Sequence, residues 1–350
     1  MGRIKKLVFG IMVLLFIALL LVSLAAILTP YIPVTWMPGI QILPMIMPIL
    51  TGLVLIFTVY FLRQKQVKWL VTGIIALIGC GWVLSKEIRP LPVEELEEPN
   101  LHVISYNVAT FRFDASNAQR IANYLRSRNP DVIALQEFRN QDMGNGQRAL
   151  KFLARALDMP YYRFEHRREN IHGVVIFSKF PIEKVDILYM PAGEINSGVI
   201  ATLQTPKGPL GVGSVHLSSY RLSSLIRPDI VYNKREFARD FYDRTEEVLP
   251  MQQEKMDLIL AGAEAYPHPL IIAGDFNAIP NSRIIHQIAS QYQDSFMKVG
   301  SGLGWTYPLL GPLGIRIDYQ FSTEEITPIT HRVLRTEYSD HFPIEVGYKW

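Results

Sequence analysis

A single cysteine, Cys80, occurs among the 350 residues, and it lies inside an apolar run. No intramolecular disulfide can form, so cysteine usage leaves the compartment open. There is no Asn-x-Ser/Thr acceptor, which withdraws support from a glycosylated eukaryotic exterior; a bacterial periplasmic or cell-surface position fits more simply. No His/Cys cluster has zinc-ligand spacing. An excess of one charge is missing too. The formal net charge is +3, but of 35 Lys and Arg eight precede residue 90, and of 32 Asp and Glu five precede residue 101. From Leu101 onward the two signs therefore balance. That argues against a broad basic face for non-specific duplex binding and leaves room for a local basic groove. Internal repeats and low-complexity tracts are absent as well.

Apolar residues, by contrast, reach 49%, high for a purely soluble chain, and the surplus sits at the front. Phe9 to Leu28, Ile40 to Leu62 and Trp69 to Leu84 are three apolar runs at or near the length that spans a bilayer. A buried or interfacial helix is the other reading of the shortest, third run. Arg3, Lys5 and Lys6 precede the first run, and Arg63, Lys65 and Lys68 occupy the link between the second and third; the first link, "TPYIPVTWMPG", has no basic residue. Basic residues stay on the cytoplasmic side. The N-terminus is therefore expected inside and everything after Leu84 outside, most simply on a bacterial inner membrane. A cleaved signal peptide in place of the first run would leave that side unchanged. The expected organisation is a membrane anchor over residues 1–86 with about three transmembrane helices, a linker over 87–100 rich in proline and glutamate, and a domain over 101–350.

Beyond the linker, short apolar strands alternate with turns and helices. "LHVISYNV" reads as a strand. "SNAQRIANYLRSRNP" reads as a helix capped by Ser116, with Ile121 and Leu125 on its inner stripe and Pro130 as its stop. "DVIALQEF" and "GVVIFSKFPI" are further strands, "QRALKFLARAL" is a helix, and "VIATLQT" with "GPLGVGSVHL" forms a hairpin through "PKG". A helical mixture over 222–265 precedes "LIIAGDFNAIPNS", "RIDYQFS" and "HFPIEV". Apolar strands that do not alternate are buried on both faces, so the fold class is a layered α/β sandwich.

Polar residues recur where these strands stop: Asn107, Glu137, His216, Asp275 with Asn277, Asp318, and Asp340 with His341. Each alone is an ordinary turn-former or a satisfied structural residue. Together they are more. A carboxylate at the end of an apolar strand must be paired, hydrogen-bonded or bound to a cation. An oxygen-rich set with few histidines suits Mg²⁺ or Mn²⁺. In "GDFN", an extended chain would put Asp275 and Asn277 on one side and Phe276 on the other.

"SYNV", "LQE", "VHL", "GDFNAIPNS", "RIDY" and "SDHFP" stand in the order and rough spacing of the endonuclease/exonuclease/phosphatase superfamily, which the chain resembles from about Leu101 to Val346. The resemblance implies a four-layer αββα sandwich of two packed mixed sheets and Mg²⁺-dependent hydrolysis of phosphate esters. It implies Glu137 as the main metal ligand, with Asn107 and Asp340 beside it. It implies Asp275 as the group that orients or deprotonates water, and Asn277 as its positioner. His341 would meet the phosphate, held by Asp318, with His216 as a second histidine. Two departures weaken the abasic-site nuclease branch: Ala109 stands where that branch has an acidic residue, and His216 where it usually has Tyr.

Arg163, Arg167 and Arg168 in "YYRFEHRRENIHG", and Arg221 after His216, could form a phosphate-binding rim or a solvated loop. Two substrates fit: nucleic acid, or the head group of a phospholipid or sphingolipid, for which an anchor raises local concentration. A tethered, inactive binding domain is the reading of another class, and intact Glu137, Asp275 and His341 count against it. Nothing calls for an obligate protein partner.

Overall fold

The computed structural model describes residues 2–93, 97–143, 146–166, 172–191, 196–221, 234–310 and 313–350. The first run forms helix α1 (Arg3–Leu28), the second α2 (Met47–Arg63) and the third α3 (Val67–Leu84). With their flanking turns, all three are long and apolar enough to cross a membrane. The second begins as a 3-10 segment over Pro38–Ile46. Pro44 has no N–H for an α-helical bond, which delays the α-helix until Met47.

Two six-stranded sheets follow. Across the first the order is Thr327–Val333, Ile344–Lys349, Leu101–Asn107, Val132–Arg139, His172–Ser178 and Tyr161–Glu165. Across the second it is Gln293–Asp294, Asp318–Ser322, Leu270–Asp275, Gly208–His216, Gly198–Thr205 and Ile182–Tyr189. Each sheet has one parallel pair at its centre: Leu101–Asn107 with Val132–Arg139, and Gly208–His216 with Leu270–Asp275. Val103, Val132, Val212, Ile271 and Val346 fill the layer between the sheets. Ile104, Ile133 and Leu135 face the helices Ala115–Ser127 and Ala149–Ala156 on one outside; Ile272 and Phe321 face Lys234–Glu264 and Arg283–Ala289 on the other. The result is the expected four-layer αββα sandwich, and both strand faces are buried, which is why the strand sequences do not alternate. The helix Ala115–Ser127 is capped by Asp114, whose carboxylate accepts the Ser116 N–H at 2.8 Å. Ser116, the expected cap, lies in its first turn.

Polar bridges tie the two sheets together behind the site. Gln136 Nε2 donates to Ser214 Oγ at 3.1 Å, and Gln320 Nε2 donates to the carbonyls of Val103 and Ile344. These buried groups are matched across the layer, so they set the lateral registry of the sheets at little desolvation cost.

The sandwich packs directly against the apolar front of the chain. Val34 is buried in the same cluster as Leu217, Phe276 and Ala278. Asn281 Nδ2 donates to the Ala26 carbonyl at 2.8 Å, and Gln41 Oε1 accepts the Arg283 N–H at 3.1 Å. Residues 88–89, inside the expected linker, pair with Gly302–Leu303 as a short antiparallel ladder. Asn281→Ala leaves buried carbonyls of α1 without a donor and is expected to cost about 1–3 kcal/mol. Thermal unfolding of the full chain checks this, and an unchanged melting temperature would show the contact to be idle.

Candidate active site

In both sheets, residues facing the inner layer are apolar along the body of the strand and polar at one end. Val103 is followed at the same parity by Ser105 and Asn107; Val212 by Ser214 and His216; Ile271 by Ala273 and Asp275. Parallel central strands bring those ends to the same edge, and Asp318 pairs with Asp275 at the start of its antiparallel neighbour. Glu137 does not follow the parity. Leu135 and Phe138 both face the outer core, the ladder shifts register between them, and Glu137 has φ +49°. This bulge turns its carboxylate into the site.

Asp275 is the hub. Its Oδ2 accepts from Asn107 Nδ2 at 2.9 Å and lies 3.7 Å from His216 Nε2 and 3.6 Å from His341 Nε2. Asn107 Nδ2 also reaches Glu137 Oε1 at 3.2 Å, while its Oδ1 accepts the Ala109 N–H. Asn107 Nδ2 thus bridges two carboxylates, while its Oδ1 takes the N–H of the turn that follows it. His216 Nε2 is 3.5 Å from Glu137 Oε1, and neither ring nitrogen of this buried histidine has a hydrogen-bond partner among the described residues. His341 Nδ1 and Asp318 Oδ2 are 3.0 Å apart. Ser339 Oγ donates to the Asn107 carbonyl and accepts the His341 N–H, which hooks the "SDH" turn to the strand end. Thr306 Oγ1 accepts the N–H groups of Ile317 and Asp318.

The "GDFN" turn is tighter than an extended chain. Asn277 has φ +47°, and its N–H donates to Asp275 Oδ1 at 2.8 Å. Asp275 and Asn277 still line the same cavity, through this turn and not through strand alternation. Phe276 points into the core, edge-on to Tyr319 and Phe321. Gly274 has φ +152°, and a Cβ there would lie 2.0 Å from the Val215 carbonyl oxygen, so the parallel strands can close only around glycine.

Burial first, then the neighbouring Asp318, pushes the Asp275 carboxyl up to about 6 against the pull of both histidines. Burial likewise raises Glu137, with Asp340 adding to it. Burial lowers His216, so it is a neutral ring near pH 7. For His341 burial alone would lower the ring, but Asp318, Asp275 and the Asp318 hydrogen bond outweigh it and hold the imidazolium up to about 10. Four carboxylates thus converge on one imidazolium, an excess of negative charge that a hard divalent cation fits. Donor atoms of Asp275, Asp318 and His341 lie within 4.8 Å of one another. His341 and Asp318 are bonded to each other, which leaves Glu137, Asp340 and Asp275 as the oxygen set facing the cavity.

The cavity, about 750 Å³, is lined by Glu137, His216, Asp275, Asn277, Asp340 and His341 among others. Arg221 lines it too. Arg163 lies on the edge strand with its guanidinium on the Tyr162 carbonyl, away from that lining. Arg167 and Arg168 lie outside the described residues. Tyr307, in the aromatic stretch "GWTYP" that could stack a base or touch lipid, lines the cavity with its ring 5.0 Å from His341; two lining or supporting residues, Arg244 and Lys255, carried no motif. Buried Lys255 donates to Ser218 Oγ at 2.7 Å, and Ser218 lines the cavity. Gln252 and Lys255 share the buried stripe of the long helix with Val248, Leu249, Met256 and Ile259, so two polar residues at apolar positions were the available signal.

The profile of the "Endonuclease/Exonuclease/phosphatase family" matches residues 104–341. The chain belongs to this family. As a member it is a phosphoester hydrolase, in a family whose enzymes are generally divalent-metal dependent. The fold recurs in solved structures of the family's kind. An endonuclease/exonuclease/phosphatase from Beutenbergia cavernae is 20% identical, with TM-score 0.51 over 72% of each chain. D. rerio TDP2 complexed with a single-strand DNA product is 18% identical, with TM-score 0.53 over 71% of this chain and 99% of that one. The mannosyl-6-phosphatase Bt3783 of Bacteroides thetaiotaomicron is 17% identical, with TM-score 0.51 over 72% and 100%. No curated protein matches the sequence. The family profile covers the sandwich and does not reach the front of the chain.

Proposed function

We propose that this family member is a membrane-anchored, Mg²⁺-dependent phosphodiesterase, with Mn²⁺ able to substitute, acting outside the cytoplasm of a bacterium. The observation that carries the reading is Asp275 Oδ2, held within 3.7 Å of two histidines at the floor of a cavity with excess carboxylate. Glu137 and Asp340 would hold the cation, which supplies a Lewis acid against phosphate charge. Asp275 accepts the proton of the attacking water, and Asn277 orients that water without adding charge. The His341 imidazolium, oriented by Asp318, stabilises charge gathering on the phosphoryl oxygens, and neutral His216 offers its ring to the same group. Asn107 keeps Glu137 and Asp275 in one unit. Arg221 contributes at the cavity rim.

The test is hydrolysis by the full chain in detergent with Mg²⁺, over single- and double-stranded nucleic acid, phospholipids, sphingolipids, inositol phosphates and bis-p-nitrophenyl phosphate. Turnover that disappears with EDTA and returns with Mg²⁺ is expected; turnover indifferent to chelation would overturn the metal assignment.

The basic residues Arg3, Lys5, Lys6, Arg63, Lys65 and Lys68 lie at one end of the helix group, and the contacts of Ala26, Gln41 and Lys86 with the sandwich lie at the other. This supports the orientation in which the catalytic domain is extracytoplasmic. An alkaline phosphatase fused after Trp350 is expected to be active in intact cells, and a reporter active only in the cytoplasm would reverse the topology.

A further inference from the structure

Resting on that reading of the site, we infer that the phosphate ester it takes is carried by a lipid of the bilayer in which the anchor sits. The cavity lining is mixed: Ser218, Arg221, Arg244 and Glu247 are polar, and Val248, Met251, Tyr307, Ile315 and Ile317 are apolar or aromatic. Three of the second kind also touch the front of the chain. Ile315, Ile317 and Tyr307 pack with Ile279 against Met45, and Met45 belongs to the second apolar segment, Pro38–Arg63. A membrane-crossing segment and the active cavity thus share a single layer of side chains.

The same end of the anchor is built for an interface. Tyr31, Trp36 and Met37 are 60%, 76% and 57% exposed, in the link between the first two apolar segments. Aromatic residues of this kind sit at the head-group level of a bilayer. Nearby Val34 and Gln41 are buried against the domain, so the link is clamped and the cavity cannot swing away from that level. A phosphate on His216 and His341 then sits at head-group depth, with apolar residues between it and the hydrocarbon. This arrangement suits a molecule with a phosphate at one end and acyl or sphingoid chains at the other. A nucleic acid would instead have to reach a site held against a membrane surface, with no surplus of positive charge after Leu101 to draw it there.

The reaction balances without another reactant. The oxygen of water bonds to phosphorus while one P–O ester bond breaks. Asp275 takes the water's proton, the departing alkoxide takes one from solvent and leaves as an alcohol, and Asp275 returns its proton to solvent, so one water is consumed in all.

The experiment uses the full chain reconstituted in phosphatidylcholine vesicles with Mg²⁺. Its arms are phosphatidylglycerol, phosphatidic acid and sphingomyelin embedded at varied mole fraction, a water-soluble short-chain analogue of each, bis-p-nitrophenyl phosphate, and a single-stranded oligodeoxynucleotide. At least one embedded lipid, phosphatidylcholine included, is expected to be cleaved, with a rate that follows its mole fraction at fixed total lipid. Its kcat/KM should exceed that of its soluble analogue by roughly a hundredfold, the scale of a tethering gain. In Met45→Asp the ratio of lipid to soluble-ester turnover should fall roughly tenfold, the size of effect that one altered apolar contact has on discrimination. Turnover of the soluble diester or the oligonucleotide with no bilayer lipid cleaved overturns the inference and leaves the phosphohydrolase reading standing. A soluble analogue turned over as fast as its lipid, or an unchanged ratio in Met45→Asp, also overturns it. No turnover in any arm removes the phosphohydrolase reading and this inference with it.

Discussion

Asp275→Asn is expected to lower phosphate-ester turnover by about 10²–10⁴-fold, the range of a general base, with the loss mainly in kcat. The change is isosteric, so the Asn107 contact and the cavity shape are kept in outline while the proton acceptor is removed. Steady-state kinetics of the full chain with Mg²⁺ checks it; a kcat within tenfold of the parent would deny Asp275 that role. The same substitution is expected to stabilise the protein in EDTA near pH 8. The Asp275 carboxyl stands at about 6 in the folded state against an ordinary 3.8. A raised value means that its contribution to stability is complete below pH 4 and is lost as pH rises through 6. In the parent without divalent cation, the melting temperature should therefore decline from pH 4 to pH 7. In Asp275→Asn that part of the decline should vanish. A cation on Glu137, Asp340 and Asp275 would oppose the decline, so added Mg²⁺ should raise the melting temperature most above pH 6.

His341→Ala should cost about 10²–10³-fold in kcat, the scale for losing one preorganised donor to a developing oxyanion. Its ring is held up to about 10 by Asp318 and Asp275 against the opposing effect of burial, so the imidazolium is present throughout the neutral range. The dependence of kcat/KM on pH should consequently be a bell. It should rise as Asp275 ionises, at or below 6 when cation is bound, and fall near 10 as His341 loses its proton. His341→Ala should remove the alkaline limb along with most of the rate. An intact alkaline limb in that variant would assign the limb to another group. Losses in Asp275→Asn and His341→Ala should not add, since the two groups act on one transition state and touch one another at 3.6 Å.

The apolar front of the chain bears on both experiments. Val34, Gln41 and Met45 are packed into or against the sandwich, so a fragment that begins after the third apolar helix would expose the surfaces they cover. Loss of activity on truncation would then reflect damage beside the site as well as loss of the membrane.

Much of this protein is set by local sequence. Three predominantly apolar stretches suffice for three membrane-length helices, because length and hydropathy alone decide whether a helix can cross. Strands without alternation require two covered faces, and that requirement is the layered sandwich. Polar residues at strand ends are also visible in one dimension, since each interrupts an apolar run. Tertiary structure decided the rest. Glu137 falls at the wrong parity for the site and reaches it only through a bulge, which depends on pairing with a strand some forty residues on. Asn107 links Glu137 and Asp275, which come from separate strands, a juxtaposition no local pattern carries. Lys255 and Arg244 lie on a helix far along the chain and meet the site only when that helix packs across the second sheet. The contact of Met45 with Ile315 and Ile317 depends on how the apolar front packs on the sandwich. That meeting is written in shape complementarity between residues far apart in sequence, which no local pattern records.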